Sequence, residues 1–291
     1  MPTLGTPERG PLLRRALQSV LTQARVETVP IVVFNGPRRD LALVREVKGD
    51  ARVRTLEFER ADLPAALLAG RRLVSEPWFA ELDDDDELLP GALERRVREL
   101  ESRPERGAVV TNGVRRGDAR DTVHITDIDA VAADPVRALL TQNWLLPGSW
   151  LCRTDAVPGS VFEGIPRYLE CTYLAIRLAS VTGLTFIDEP TVVYHEDTPC
   201  SESKSPQYVL GQEAALRRIM ELELPPEVRR WFKGQLGRAC WAAAMVLAER
   251  GDVRGAGRQG LRALTYPGGW RRLPRLLPVT RRLLRTKRAE A

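Results

Sequence analysis

A chain of 291 residues, 43% hydrophobic and 29% charged, has enough apolar material for a full core, which excludes wholesale disorder. A net charge of +5 is too small to demand a nucleic-acid partner, and its basic excess gathers between Arg271 and Arg288. Cys152, Cys171, Cys200 and Cys240 stand far apart with no C-x-x-C pair, so neither a zinc site nor a disulfide framework is indicated.

No apolar run reaches the roughly 18 residues of a membrane span, and the first residues lack the charged-then-apolar form of a leader. The expectation is a soluble, cytoplasmic protein, or one held peripherally at the inner face of a membrane. In chain order, Thr6-Pro7 followed by Leu12, Leu13, Ala16, Leu17, Val20 and Leu21 predicts a capped helix with one apolar stripe. Val29 to Phe34 is a buried strand closed by the turn Asn35-Gly36-Pro37. A short helix over 41–48, a strand over 52–58 and a helix over 64–75 come next. Pro77 to Leu82 is a strand that runs into four consecutive aspartates, and Pro90 then opens a helix with Leu93, Val97 and Leu100 on one face.

Residues 108–114 read as a strand, and 117–166 as a less regular stretch with strands near 123–125 and 150–153. A helix over 168–179 and short strands over 184–188 and 191–195 complete the alternation. This order of elements predicts an α/β domain with a mostly parallel sheet covered by helices, in residues 1–205. A helical C-terminal region with a basic tail fills residues 206–291. In parallel sheets ligands bind beyond the carboxyl ends of the strands, which is where Asp83, Asp84, Asp85 and Asp86 fall. Two carboxylates at i, i+2 after a buried strand can aim at one hard cation such as Mg²⁺ or Mn²⁺. The bland alternative is a solvated acidic turn at a helix start, where negative charge is favoured in any case.

Three segments in this order carry a resemblance to a family. Pro2-Thr3 precedes a helix ending Ser19-Val20-Leu21-Thr22-Gln23. Val32-Val33-Phe34-Asn35-Gly36-Pro37 forms a strand and turn, and Phe79-Ala80-Glu81-Leu82-Asp83-Asp84-Asp85-Asp86 is an acidic segment with Pro90 beyond it. Together they resemble the family 2 glycosyltransferases of the GT-A fold, over roughly residues 2–197. The resemblance implies a Rossmann-like sheet and inverting transfer of a sugar from a UDP-, GDP- or dTDP-sugar. The acceptor would be the hydroxyl of a glycan, a lipid-linked molecule or a small molecule, in glycan or polysaccharide biosynthesis.

It also implies Mn²⁺ or Mg²⁺ as cofactor, with Asp85 the principal ligand and Asp83 on the metal or the ribose. Pro2, Thr3 and Asn35 would surround the base and ribose, and Asp84 belongs to the same donor-binding stretch. Asn35 stands where the family usually carries an aspartate. The family's Arg-Asn pair before the acidic strand is absent, leaving Arg71 or Arg72 as the candidate phosphate cation, against the alternative that both belong to a solvated helix face. Glu170 matches the first of an acidic pair near the acceptor, while Cys171 occupies the place of the usual base, so the base role passes to Glu170. His195, one of two histidines, resembles the residue that completes the metal site, and His124 receives no role. Of Trp144 and Trp150, at most one, Trp150, would stack on the acceptor sugar, and a tryptophan is more often part of the core.

The family's Pro-Thr follows a buried strand, so an incomplete N-terminus is expected. The leucines and arginines of 271–291 suit an anionic membrane surface. Two rivals stand beside the transferase: a non-catalytic GT-A-like protein that binds nucleotide or a partner, and a nucleotidyltransferase. The second lacks the glycine- and lysine-rich loop it needs.

Overall fold

Strand and helix alternate through the first half of the chain as the hydrophobic pattern predicts: β1 (Pro2–Thr3), α1 (Gly10–Leu21), β2 (Ile31–Asn35), α2 (Leu41–Gly49), β3 (Arg54–Phe58) and α3 (Leu63–Arg72). The computed structural model describes residues 1–117, 119–198 and 201–269, and these form two units that divide after Thr198. In the first unit β1, β2 and β3 make a parallel sheet, with Pro2 opposite Val33 and Val33 opposite Leu56. Asp40 and Asp62 cap the helices that follow, each accepting a main-chain N–H, from Ala42 and Ala65. Leu13 and Leu17 of α1 pack with Val32 and Phe34 of β2 and Leu43 of α2. Each such buried side chain contributes about 1.5–3 kcal/mol.

A second, mixed sheet follows, built from β4 (Trp78–Phe79), β5 (Glu87–Leu88), β6 (Ala108–Arg116), β7 (Asp121–Val123), β8 (Trp150–Arg153) and β9 (Leu184–His195). Its order is β4-β8-β6-β9-β5, with β7 added to β6. Only β6 and β9 run parallel in it. The two short strands expected over 184–195 are one strand. Its register shifts beside Asn112, opposite Pro190, which has no N–H to give the ladder. The irregular stretch holds two short helices, α5 (Ile128–Ala133) and α6 (Pro135–Ala138). α4 (Ala92–Ser102) and α7 (Glu170–Val181) flank this half.

β4 is shorter than the expected 77–82. The two sheets face one another across an apolar cavity of about 690 Å³ lined by Ile31 and Val33 of β2, Ala66 and Gly70 of α3, and Phe79 and Ala80. The second unit holds α8 (Pro206–Ile219), α9 (Pro226–Glu249) and α10 (Val253–Leu264). Within it Cys240 and Trp241 pack on Ala263, and Glu213 pairs with both Arg217 and Arg262 at 2.9 and 2.6 Å. Residues 271–291, with the expected membrane contact, lie outside the described residues. Among the described residues no helix is long and apolar enough to cross a membrane.

Two stability predictions follow from this packing. A Cβ at Gly70 would meet Val33 Cγ2 at 3.5 Å, an ordinary contact. Gly70→Ala therefore gains helix propensity without a clash, about 1 kcal/mol, and thermal unfolding should show a Tm raised by roughly 2–4 °C. His124 is buried, and that burial, with Arg115 nearby, pushes its imidazole down to about 4. The unfolded chain protonates it near pH ~6.5, so its contribution is present above that pH and is lost as the pH falls toward about 4, on the order of 3 kcal/mol. Urea midpoints at pH 7.5 and 4.5 should differ more for the wild type than for His124→Gln.

Candidate active site: the acidic turn

Beyond the carboxyl end of β4 the four aspartates fold into one tight turn, in which the Asp86 N–H donates to the Asp83 carbonyl at 3.3 Å. The turn sorts their side chains. Asp84 faces back into the fold, accepting from the Thr3 hydroxyl at 2.5 Å and from Arg9 Nε at 3.0 Å. Asp83, Asp85 and Asp86 converge, with oxygens all within 4.8 Å of one another. Asp86 is 1% exposed; its Oδ1 accepts the His195 main-chain N–H at 2.9 Å, while its Oδ2 has no hydrogen-bond partner.

An orphaned carboxylate oxygen at that depth is expensive, and a cation held by the three aspartates would satisfy it. Burial, with neighbouring carboxylates adding to it, pushes Asp83 and Asp86 well above the usual carboxylate range. Burial also pushes Glu81 up to about 7. The donors are all hard oxygens, which suits Mg²⁺ or Mn²⁺.

Two supports hold the turn in place. The Gly148 N–H donates to the Glu81 carbonyl at 2.7 Å, and a Cβ at Gly148 would stand 2.7 Å from Leu82 Cδ1, so only glycine fits there, at φ +77°. Behind Gly148 lies the guanidinium of Arg96, fully buried, which donates to the carbonyls of Gly148 and Trp150 and to the Thr191 hydroxyl. On the other side two cations reach the turn, Arg9 from the segment before α1 and Arg15 from α1 itself. Arg9 grips Asp84 and Asp85, and Arg15 donates to the Asp85 carbonyl.

α7 brings up the second half of the site. Leu169, just before it, sits at φ +60°, a left-handed conformation that a leucine rarely adopts and that is found where surrounding structure imposes it. Glu170 thereby occupies the first turn of α7. Burial pushes the neighbouring Cys171 thiol well up, and the carboxylates of Glu81, Glu170, Asp83 and Asp86 add to it. These groups share one electrostatic neighbourhood. Tyr194 belongs to it as well: burial and then Asp86 and Asp83 push its phenol up.

Several sequence expectations change here. The His195 ring is engaged by Glu87 at 3.0 Å and Asp197 at 3.4 Å, so the histidine joins the site through its main chain and Asp86 takes third place in the cluster. Arg71 does not reach the acidic turn: its guanidinium donates to the carbonyls of Thr154 and Val157 and lies 4.3 Å over the Phe79 ring. Trp150 is 1% exposed and packs edge-on against Phe79, which leaves no face for a sugar.

Asn35 is buried beside Pro2 and Thr3. Its Nδ2 donates to the Thr3 carbonyl at 3.1 Å, and its Oδ1 accepts from the Asp62 N–H at 3.3 Å, so its amide pins β1 to β2 and to the start of α3. Thr3 reaches the site through its bond to Asp84. Arg9, Asp86 and Tyr194 are the residues that sequence reasoning missed. Asp86 was visible as the last of the run, whereas Arg9 and Tyr194 carry no local signal.

Residues 1–152 match the family model of glycosyl transferase family 2. No curated protein sequence matches the chain. Among solved structures, residues 1–349 of S. aureus TarS in complex with UDP-GlcNAc give a TM-score of 0.58 at 12% identity, over 90% of this chain and 78% of that one. The mannosyltransferase PcManGT from Pyrobaculum calidifontis, in complex with GDP-Man and Mn²⁺, gives 0.52 at 18% identity, over 100% of this chain and 78% of that one. At such identities the likeness speaks for the fold, here the GT-A arrangement of a sheet flanked by helices. The family match covers more than half of the chain, and on that ground the protein belongs to glycosyl transferase family 2 and is a glycosyltransferase.

Proposed function

We propose that the protein moves a sugar from a nucleoside diphosphate to an acceptor hydroxyl with inversion, and that Asp83, Asp85 and Asp86 hold a divalent cation for that step. The observation that carries this reading is the sorted turn: three convergent carboxylates, one of them with a buried oxygen that no protein group satisfies. The neighbours solved with UDP-GlcNAc and with GDP-Man and Mn²⁺ support a nucleotide-sugar donor and a metal. When bound, the cation would offset the charge that grows on the departing diphosphate.

The remaining work falls to the chain. Glu170 takes the proton of the acceptor hydroxyl as its oxygen attacks the anomeric carbon. Its place in the first turn of α7 favours the carboxylate form, because helix N-termini carry partial positive charge. Cys171 is held as a neutral thiol and does not act as a base. The same cysteine favours a second reading, in which the protein binds its donor without transferring it. A UDP-, GDP- or dTDP-sugar as donor, a glycan, lipid-linked or small-molecule acceptor, and a cytoplasmic setting complete the proposal.

A panel of nucleotide sugars, assayed for hydrolysis and transfer with Mn²⁺ or Mg²⁺, tests it. Glu170→Gln should lower kcat at least ~100-fold while donor affinity stays within about twofold. Retained turnover in that variant would remove Glu170 from the mechanism. Asp85→Asn should lower turnover by a similar factor and weaken metal binding, since a ligand charge is lost. Donor binding without any turnover in the wild type would establish the second reading.

A further inference from the structure

The acidic turn already holds a cation of its own, and it sits on a carboxylate that a metal would need. Arg9 Nη1 lies 3.3 Å from Asp85 Oδ2 and Nη2 lies 3.1 Å from Asp85 Oδ1, so both oxygens of this carboxylate face the guanidinium. Asp85 is also one of the three converging aspartates, beside the unsatisfied Oδ2 of Asp86. A divalent cation on these oxygens binds at ~2.0–2.2 Å, which would bring it against the guanidinium. The two positive groups therefore compete for Asp85.

Arg9 has a second hold that the metal does not contest. Its Nε donates to Asp84 Oδ2 at 3.0 Å and its Nη2 to Asp84 Oδ1, and Asp84 is fixed in turn by the Thr3 hydroxyl. The arginine side chain is 20% exposed, so the guanidinium is hinged at Asp84 and open to the solvent side. We propose that Arg9 is an exchangeable counter-cation: it neutralises Asp84 and Asp85 in the metal-free protein, yields Asp85 to the divalent cation, and turns its freed N–H groups to the donor's diphosphate. The inference rests on the metal and donor reading given above. A planar guanidinium presents paired N–H donors that match phosphate oxygens, and the other arginine expected for that task, Arg71, is committed to Thr154 and Val157.

The exchange makes two measured quantities move in opposite directions. In Arg9→Met the competitor at Asp85 is gone, so Mn²⁺ titrated into the donor-free protein should bind about fivefold more tightly, the effect of removing a partly screened ion pair. The loss of a guanidinium–phosphate contact should at the same time raise the donor KM by at least about tenfold. Arg9→Lys keeps the charge without the fork, so its Mn²⁺ affinity should stay near the wild type while donor KM rises at least about threefold.

Unfolding curves of each variant without metal establish that it is folded; should Arg9→Met fail to fold, Arg9→Lys decides through its donor KM against unchanged Mn²⁺ affinity. A purely structural Arg9 would weaken Mn²⁺ and donor together, and that result, or an unchanged Mn²⁺ affinity in Arg9→Met, overturns the proposal. Failure of the underlying reading looks different: the wild type itself would bind no Mn²⁺ or Mg²⁺, and both proposals would fall.

Discussion

A single buried guanidinium ties the acidic turn to the second sheet. Arg96 is fully enclosed, and among the described residues no carboxylate pairs with it; its N–H groups are met by two carbonyls and a threonine hydroxyl. Burial pushes its pKa down to about 9, so it still carries its charge at neutral pH. The three acceptors come from β8, the segment before it and β9, and removing the guanidinium would take a donor from each of them. Because Gly148 also donates to the carbonyl of Glu81, the position of the acidic turn is inherited from this arginine. A residue buried behind the turn therefore sets where its carboxylates stand.

The turn itself is an exercise in charge balance. Four carboxylates within four residues would repel one another in any solvated loop, and the fold divides them instead. Asp84 is neutralised by the protein through Arg9 and Thr3, whereas Asp83, Asp85 and Asp86 are gathered where burial and mutual repulsion push two of them toward protonation. Such a grouping is unfavourable for the isolated chain and favourable once an external cation is bound. Sites that depend on pre-arranged charge are built in this way, since the arrangement is made during folding and not at the moment of reaction.

The fold was legible in the sequence wherever one periodicity ruled. β8 was readable to the residue and β2 within two residues, both short apolar runs bounded by turn signals. Pro190 misled the reading of β9, because a proline argues against a continuous ladder and a bulge restores it. Arg96 could not be read at all: among Arg95, Val97 and Arg98 it looks like a solvated face, and only tertiary acceptors explain its burial. In the site, local features such as the acidic run and the cysteine beside Glu170 were visible. Contacts made across some 75 residues of chain, Arg9 to Asp84 above all, were not, since nothing in either segment announces the other.

The apolar cavity between the two sheets has a mechanical consequence. Hydrogen-bonded ladders transmit load along a sheet, and among the described residues no ladder joins the β1-β2-β3 sheet to the second one. Polar links across this gap include the bond from Thr3 of β1 to Asp84 and those from Arg9 and Arg15 to the same turn. These are the groups that surround the candidate metal site. The candidate site thus doubles as a clasp, and a ligand held there would draw on the same contacts that link the two sheets.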